Sequence, residues 1–317
     1  MALKVNNLRT YYFTFRGVVK AVDGISFELQ EGSILGLAGE SACGKSTTAF
    51  SLMKLVSPPG RVVSGEALFE GDNIIGMKES EIRKIRWKKI SMVFQSSMNA
   101  LDPVFRIKDQ ISEAILTHEG IDKLEAEERA KEFLERVGIE RSRANDYPHE
   151  FSGGMKQRVM IAMALATYPS IVILDEPTSA LDVIVQAQIL KLIKNLQEEK
   201  RLSIILITHD LSVISAVCDR VAIMYAGKIV ENSSARTLFK HPQHPYSEGL
   251  IGSFPRLSQP RHSRLISISG APPDLIDPPK GCRFHPRCPR AMEICKREEP
   301  VFTETDENHM VACHLYT

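Results

Sequence analysis

The sequence lacks the features of several classes of protein. No stretch approaches about 18 consecutive apolar residues, so no membrane span is predicted, and no apolar run follows the lysine in the opening MALKVNNLRTYY, so no secretory signal is predicted. An excess of charge of one sign is also absent. With 40 Lys and Arg against 39 Asp and Glu, the composition argues against nucleic acid as a partner. We expect a cytosolic chain that could still dock on a membrane protein.

Cysteine is scarce until the end of the chain. Of the six cysteines, Cys282, Cys288, Cys295 and Cys313 fall in the last part, with the spacing C-x5-C-x6-C-x17-C. A reducing compartment favours metal ligation over disulfides, and four thiolates suit either tetrahedral zinc or a [4Fe–4S] cluster. The pattern has no close C-x2–4-C pair, which favours the cluster. Zinc and free or paired thiols remain alternatives.

Short apolar runs at 33–40, 90–95, 171–177 and 202–210 are typical of strands covered on both faces of a parallel sheet. Helical patterns lie between these runs, at 125–138 and 182–200. The alternation predicts an α/β fold. Residues 241–281 hold eight of the 17 prolines (242, 245, 255, 260, 272, 273, 278 and 279) and are interpreted as a mostly extended connector. Residues 282–317 would form a small cysteine-rich C-terminal module.

The stretch GESACGKST (39–47) fits the phosphate-binding pattern G-x-x-x-x-G-K-[ST]. It follows a predicted strand and precedes a predicted helix, so backbone N–H groups would face phosphate oxygens at a helix N-terminus. Lys45 would reach the β- and γ-phosphates, and Ser46 would bind Mg²⁺. The predicted nucleotide ligands of this loop are Gly39, Glu40, Ser41, Ala42, Cys43, Gly44, Lys45, Ser46 and Thr47.

The run IVILDEP (171–177) is a second acidic element. A strand that ends in Asp175 would place a carboxylate near the Mg²⁺ shell, and the adjacent Glu176 could accept a proton from an attacking water. The alternative is an acidic pair that caps the helix after Pro177.

Between these two elements lies FSGGMKQRVMIAMAL (151–165), and with it the sequence resembles the ABC-transporter ATPases. The stretch FSGGM departs from the usual LSGGQ signature but keeps the serine and both glycines. The resemblance implies the following roles: Ser152, Gly153 and Gly154 against a partner's ATP; Gln95 as γ-phosphate and Mg²⁺ sensor; Asp182 of SALD facing the partner; His209 as switch histidine; and Tyr12 on the adenine, with Tyr11 and Phe13 as alternatives.

The same resemblance implies a RecA-like P-loop core with an antiparallel β subdomain. A helical subdomain at about 97–161 would interrupt the ATPase domain of residues 1–240. It also implies that two subunits act together, because the signature cannot reach the nucleotide of its own chain. Glu176, His209 and Gln95 are the expected catalytic residues.

The stretches HPQHPYSEGL (241–250), GAPPDL (270–275) and GCRFHPRCPRAMEIC (281–295) resemble the ATPases of dipeptide, oligopeptide and nickel importers, and more closely their D-type subunit. This resemblance implies an F-type ATPase partner, two permeases and, indirectly, an extracytoplasmic binding protein. The expected location is the cytoplasmic face of the membrane. Alternatives are import of an oligosaccharide or nickel, or a soluble ABC ATPase that acts on nucleic acid.

Overall fold

Two β-sheets organise the fold. The computed structural model describes residues 1–95, 100–179, 181–253 and 268–316. The larger sheet has, within these residues, the strand order β11-β12-β10-β9-β3-β8-β7-β6. Its strands are β3 (Ile34–Ala38), β6 (Ile90–Val93), β7 (Ile171–Asp175), β8 (Ser203–Thr208), β9 (Arg220–Tyr225), β10 (Lys228–Ser234), β11 (Phe302–Asp306) and β12 (His309–Ala312). The four short apolar runs of the sequence are therefore strands β3, β6, β7 and β8, as predicted.

The register of the parallel strands places the carboxyl ends of β3, β7 and β8 side by side. Ala38 pairs with Thr208, and Asp175 pairs with Ile207. The segments that leave these strands contain the phosphate loop, Glu176 and His209. Ligands of open α/β sheets bind at this edge, because helices and loops diverge there.

The smaller sheet is antiparallel, with the order β2-β1-β4-β5. Its strands are β1 (Leu3–Thr14), β2 (Gly17–Leu29), β4 (Gly60–Phe69) and β5 (Asp72–Asn73). This sheet is the expected antiparallel subdomain, and it carries Tyr12 close to the end of β1.

Each face of the larger sheet packs against its own core. On β8, Ile204 and Leu206 belong to a core shared with the helices, whereas Ile205 and Ile207 belong to a core shared with the antiparallel sheet. Alternate side chains of a strand point to opposite faces, so a strand buried on both sides must be apolar throughout. This requirement explains why the strands read as continuous apolar runs.

Helices pack against both faces of the larger sheet. They are α1 (Lys45–Leu52), α2 (Glu79–Ile82), α3 (Ile107–His118), α4 (Lys123–Arg136), α5 (Gly153–Leu165), α6 (Val183–Lys200), α7 (Leu211–Val217), α8 (Ala235–Lys240) and α9 (Pro245–Gly252). No helix among the described residues is long and apolar enough to cross a membrane.

Both helices predicted in the sequence are present. Helix α4 begins after Asp122, whose side chain accepts a hydrogen bond from the N–H of Glu125, and it buries Ala130, Phe133 and Leu134. Helix α6 begins after Asp182, whose carboxylate accepts from two N–H groups of the first turn. The predicted helical subdomain corresponds to α3, α4 and α5, with α5 continuing to Leu165, and residues 97–99 of its predicted start lie outside the described residues.

The region after residue 240 differs from the prediction in two ways. The supposed extended connector contains helix α9, because Pro245 is compatible with the first turn of a helix and His244 caps it by accepting from the N–H of Tyr246. Residues 254–267 of that connector lie outside the described residues. Within the predicted C-terminal module, β12 pairs with β10 and β11 pairs with β12, so this part of the chain adds two strands to the larger sheet.

Candidate nucleotide-binding site

The phosphate loop between β3 and α1 depends on two glycines in the left-handed region. Gly39 has φ +152° and Gly44 has φ +107°. A Cβ atom would lie 2.1 Å from the carbonyl oxygen of Met224 at Gly39, and 2.2 Å from that of Ala21 at Gly44. No other residue type fits either position without backbone movement. The loop therefore curls tightly before α1, whose free N–H groups face it.

Lys45 lies inside this curl. Its ammonium donates hydrogen bonds to the carbonyl oxygens of Gly39 at 2.8 Å and Glu40 at 2.9 Å, and the residue is buried. A buried cation beside several backbone N–H groups creates a positive site for phosphate oxygens.

The structure brings Ser46 and Asp175 together, as expected for a shared Mg²⁺ site. The hydroxyl of Ser46 donates to Oδ1 of Asp175 at 3.1 Å. The buried Oδ2 of Asp175 has no hydrogen-bond partner among the described residues. Burial raises the pKa of Asp175 to about 6, and the nearby Glu176 charge adds to this effect. A hydroxyl and an unpaired carboxylate oxygen are the ligand types that Mg²⁺ prefers, so this pair fits the cation.

Glu176 lies between the two other predicted catalytic residues. Gln95 donates from Nε2 to one carboxylate oxygen at 3.0 Å, and Nδ1 of His209 lies 2.9 Å from the other. The Glu176 backbone has φ +48°, and its N–H donates to the carbonyl oxygen of Ile207 at 2.9 Å. The carboxylate is thus held in one orientation, at a position where it can accept a proton from water.

A cavity of about 330 Å³ joins the phosphate loop to Gln95 and Glu176, whereas Asp175 and His209 are not among its described lining residues. Its described lining comprises Tyr12, Val19, Ala21, Ser41, Ala42, Gly44, Lys45, Ser46, Thr47, Gln95, Glu176 and Leu275. Among the three candidate aromatics, only Tyr12 lines it. The Tyr11 hydroxyl donates to Asp23 at 2.6 Å, and Phe13 lies under the guanidinium of Arg61 at 4.4 Å from the ring centre.

Leu275 is a lining residue that the sequence interpretation missed. It belongs to GAPPDL, and its carbonyl oxygen accepts from the N–H of Lys20 at 2.9 Å. This contact joins segments more than two hundred positions apart, so no local pattern could reveal it.

Two of the residues predicted to face a partner, Ser152 and Asp182, are helix caps outside this cavity. The Ser152 hydroxyl accepts from the N–H of Met155 at 3.3 Å at the start of α5, and Asp182 caps α6. The two helix starts are close together, because a Cβ atom on Gly154 would lie 2.5 Å from Cγ1 of Val185. None of Ser152, Gly153, Gly154 and Asp182 is among the described lining residues.

In the part of the chain that it describes, the structure does not show the metal site that the spacing of the C-terminal cysteines predicted. Among the described residues, no group of three or more His, Cys, Asp and Glu side chains is arranged to hold a metal ion. Burial raises the pKa of Cys282 to about 11 and also raises the pKa values of Cys288 and Cys313. The geometry therefore does not support a metal-bound or cluster-bound module. Cys218 is buried at the end of α7, as a core residue should be.

The fold and this site define the class of the protein. A mixed sheet with parallel central strands, a phosphate loop, a serine–aspartate pair and a glutamate between glutamine and histidine are the features of a P-loop ATPase. The inserted helices with FSGGM indicate the ATPase of an ABC system.

Comparison with known proteins gives the particular family. Residues 22–179 match the family described as ABC transporter, and residues 230–295 match the oligopeptide/dipeptide transporter C-terminal region. The chain is 46% identical to the dipeptide transport ATP-binding protein DppD of Bacillus subtilis, over 99% of this chain and 94% of that protein. It is 48% identical to the oligopeptide transport ATP-binding protein OppD of Salmonella typhimurium, over 94% of this chain and 89% of that protein.

Among solved structures, the chain is similar to a dimeric post-hydrolysis state of the ATP-binding cassette MJ0796 bound to ADP and Pi. The TM-score is 0.67 at 29% identity, over 74% of this chain and 99% of that one. The chain belongs to the family of ATP-binding subunits of dipeptide and oligopeptide ABC transporters, and it is an ATPase of that class.

Proposed function

We propose that this protein hydrolyses ATP at the cytoplasmic face of the membrane to power uptake of dipeptides or oligopeptides through separate permease subunits. The observation that carries the proposal is the position of Glu176 between Gln95 and His209, beside the Ser46–Asp175 pair. The names of the relatives support the choice of solute class, because they are dipeptide and oligopeptide transport proteins.

In this proposal, each part of the site has one task. The N–H groups of residues 39–47 and the ammonium of Lys45 hold the phosphates, and Tyr12 stacks on the adenine. Ser46, Asp175 and Gln95 would hold Mg²⁺, which when bound offsets negative charge on the phosphates. Glu176 takes a proton from the attacking water, and His209 orients the carboxylate and the water.

The signature residues would serve a second subunit. Ser152 and Asp182 cap helices, and Gly153 and Gly154 begin α5; all four lie outside the described cavity lining of their own chain, which supports a role at a partner's nucleotide. Two ATP molecules would then lie between this D-type subunit and an F-type ATPase. Closure and reopening of the ATPase pair would change the conformation of two permeases. An extracytoplasmic binding protein would deliver the solute to these permeases.

We also propose, from the sequence spacing of Cys282, Cys288, Cys295 and Cys313, that these cysteines hold a [4Fe–4S] cluster, with zinc as the alternative; no preformed ligand group is present among the described residues. The thiolate charges of Cys295, Cys313 and Cys288 contribute to the raised pKa of Cys282, so the four thiols share one neighbourhood. The N–H of Cys282 also donates to the carbonyl oxygen of Cys295 at 2.9 Å. A cluster is a larger object than one ion and suits wider ligand spacing.

Metal content tests the cysteine proposal without reference to activity. The complete chain, purified anaerobically, should contain iron and sulfide in cluster stoichiometry and absorb broadly near ~400 nm. A Cys288→Ser variant should lose most of this iron, whereas Cys218→Ser should keep it. A colourless wild-type protein with stoichiometric zinc, or with no metal, contradicts the cluster.

Reconstitution tests the transport proposal. The chain is combined in vesicles with its F-type partner and permeases, and a binding protein loaded with a dipeptide or an oligopeptide is added on the outer side. We expect ATP hydrolysis to rise and labelled peptide to accumulate. Stimulation by an oligosaccharide or by nickel, and not by peptides, would assign another solute of the same importer class. Copurification with nucleic acid instead of permeases would contradict transport.

A further inference from the structure

The phosphate loop has a charged contact with the C-terminal region. Two nitrogens of the Arg287 guanidinium donate to the two carboxylate oxygens of Glu40, at 2.7 and 2.9 Å. The Arg287 side chain is only 6% exposed. Bidentate pairs of this kind fix the orientation of both partners, because two parallel hydrogen bonds allow little rotation.

Other atoms of the protein hold Arg287 in place. Its Nε donates to the carbonyl oxygen of Ser269 at 2.9 Å, and one terminal nitrogen lies 3.4 Å from the hydroxyl of Tyr225. The guanidinium also lies over the Tyr225 ring. The hydrogen bonds to Glu40 raise the pKa of Arg287 further above its usual range. Arg287 is thus a fixed positive charge beside the loop.

The C-terminal region also holds the backbone of Glu40. The N–H of Glu40 donates to the hydroxyl of Tyr246 at 2.9 Å, and Tyr246 is fully buried. Its ring packs against Tyr225 and Phe284, with centroids 4.6 and 5.4 Å away. Side chain and backbone of one loop residue are therefore both bound by residues beyond position 240.

The other side of Glu40 faces the phosphate site, where its carbonyl oxygen accepts from the ammonium of Lys45 at 2.9 Å. Glu40 consequently links Arg287 to the lysine expected at the phosphates. An unpaired carboxylate in this loop would repel a triphosphate, and a neutralised one would not.

We propose that Arg287 is a positioning residue for ATP binding, which neutralises Glu40 and fixes the loop conformation, so that the C-terminal region sets the affinity of the site. The proposal rests on the assignment of residues 39–47 to the phosphates. In this proposal the C-terminal region controls ATP affinity, which is a role beyond the steps of the transport cycle described above.

The experiment measures binding of a fluorescent ATP analogue to the complete chain. Arg287→Gln should weaken binding about 10-fold, within the usual range of coupling between sites, whereas Arg287→Lys, which keeps the charge, should weaken it by about 3-fold or less. Adding Glu40→Gln to Arg287→Gln should restore most of the affinity, because the uncompensated carboxylate is gone. In the reconstituted transporter, KM for ATP should rise and kcat should stay within about 2-fold.

Two controls separate the possible outcomes. Arg290→Ala, which removes an exposed pair with Glu248 in the same segment, should leave ATP affinity unchanged. Lys45→Ala should abolish binding, and full binding by this variant would overturn the loop assignment itself. If Lys45→Ala fails to bind but folded Arg287→Gln and Arg287→Lys both bind like wild type, the positioning role is wrong. If adding Glu40→Gln to Arg287→Gln does not restore ATP affinity, Arg287 does not act by neutralising Glu40 and is a structural contact only.

Discussion

The phosphate loop and the C-terminal region both lie against the larger sheet, but different interactions hold them. The curl of the loop depends on short-range features, which are left-handed glycines and the hydrogen bonds of Lys45 to backbone carbonyls of the loop. The C-terminal region is held by polar pairs that join distant positions. Arg283, for example, donates to Asp23 across 260 positions of sequence. The curl of the loop therefore depends mainly on its own residues, and the C-terminal region binds it in addition at Glu40, whereas the C-terminal region itself depends on contacts with distant parts of the core.

The largest expected effect concerns Glu176, which lines the same cavity as the phosphate loop. Glu176→Gln should lower ATP turnover by about 10²–10⁴-fold, because the amide cannot accept a proton from water, while ATP binding persists. Turnover is measured in the reconstituted transporter at saturating ATP, and binding is measured with the fluorescent analogue. Glu198→Gln, on the exposed side of α6, is a control that should hydrolyse ATP normally. Hydrolysis by Glu176→Gln at the wild-type rate would exclude Glu176 as the base.

The attachment of the C-terminal region should depend on Glu231. This buried carboxylate accepts hydrogen bonds from the N–H groups of Gln243 and His244 at 2.8 and 3.0 Å, and it lies 2.8 Å from Nε2 of His309. Glu231→Ala would leave these donors without an acceptor, so we expect the free energy of unfolding to fall by about 3–5 kcal/mol. Urea denaturation of the complete chain measures the change.

A matched surface pair gives the reference for this prediction. Glu28 and Lys4 are 2.8 Å apart, and both side chains are well exposed. Glu28→Ala should cost less than about 1 kcal/mol, because solvent screens exposed ion pairs. If Glu231→Ala costs no more than Glu28→Ala, the buried carboxylate does not hold the C-terminal region to the core.

The stability of the nucleotide-free protein should depend on pH through Asp175. Burial raises the pKa of Asp175 to about 6, so its ionised form destabilises the nucleotide-free fold. Relative to Asp175→Asn, the wild type should lose stability as pH rises from about 4 to about 6. At pH 7.5 the variant should be about 2–3 kcal/mol more stable, and the difference should vanish below about pH 4.

With Mg²⁺ and ATP present, the wild type should be more stable than Asp175→Asn, because the asparagine cannot supply the carboxylate oxygen that the cation needs. Thermal unfolding with and without Mg²⁺ and ATP tests both signs. A variant that is less stable than the wild type at pH 7.5 without nucleotide would mean that Asp175 is not strained by its burial.

The two regions also differ in what the sequence could predict. The spacing of GESACGKST, the aliphatic run before Asp175 and the periodicity of α4 each report on local backbone structure, and all three elements appear where they were predicted. The placement of Leu275 at the cavity and the pairing of β12 with β10 depend on contacts between distant segments. A single sequence carries no direct signal for such contacts. Counting prolines was misleading for a local reason, because proline is compatible with the first turn of a helix and Pro245 starts α9.

The smallest expected effect connects the two regions through Cys288, which directly follows Arg287. If the cysteine neighbourhood determines where Arg287 lies, Cys288→Ser should weaken ATP binding by about 3-fold in the wild-type background. In a Glu40→Gln background the same substitution should have no effect, because the carboxylate that Arg287 neutralises is absent. Titration of the complete chain with the fluorescent ATP analogue measures both, and Arg297→Ala, in an exposed pair with Glu293, is the control. Equal losses in the two backgrounds would show that Cys288 acts on the nucleotide site by a route that does not pass through Arg287 and Glu40.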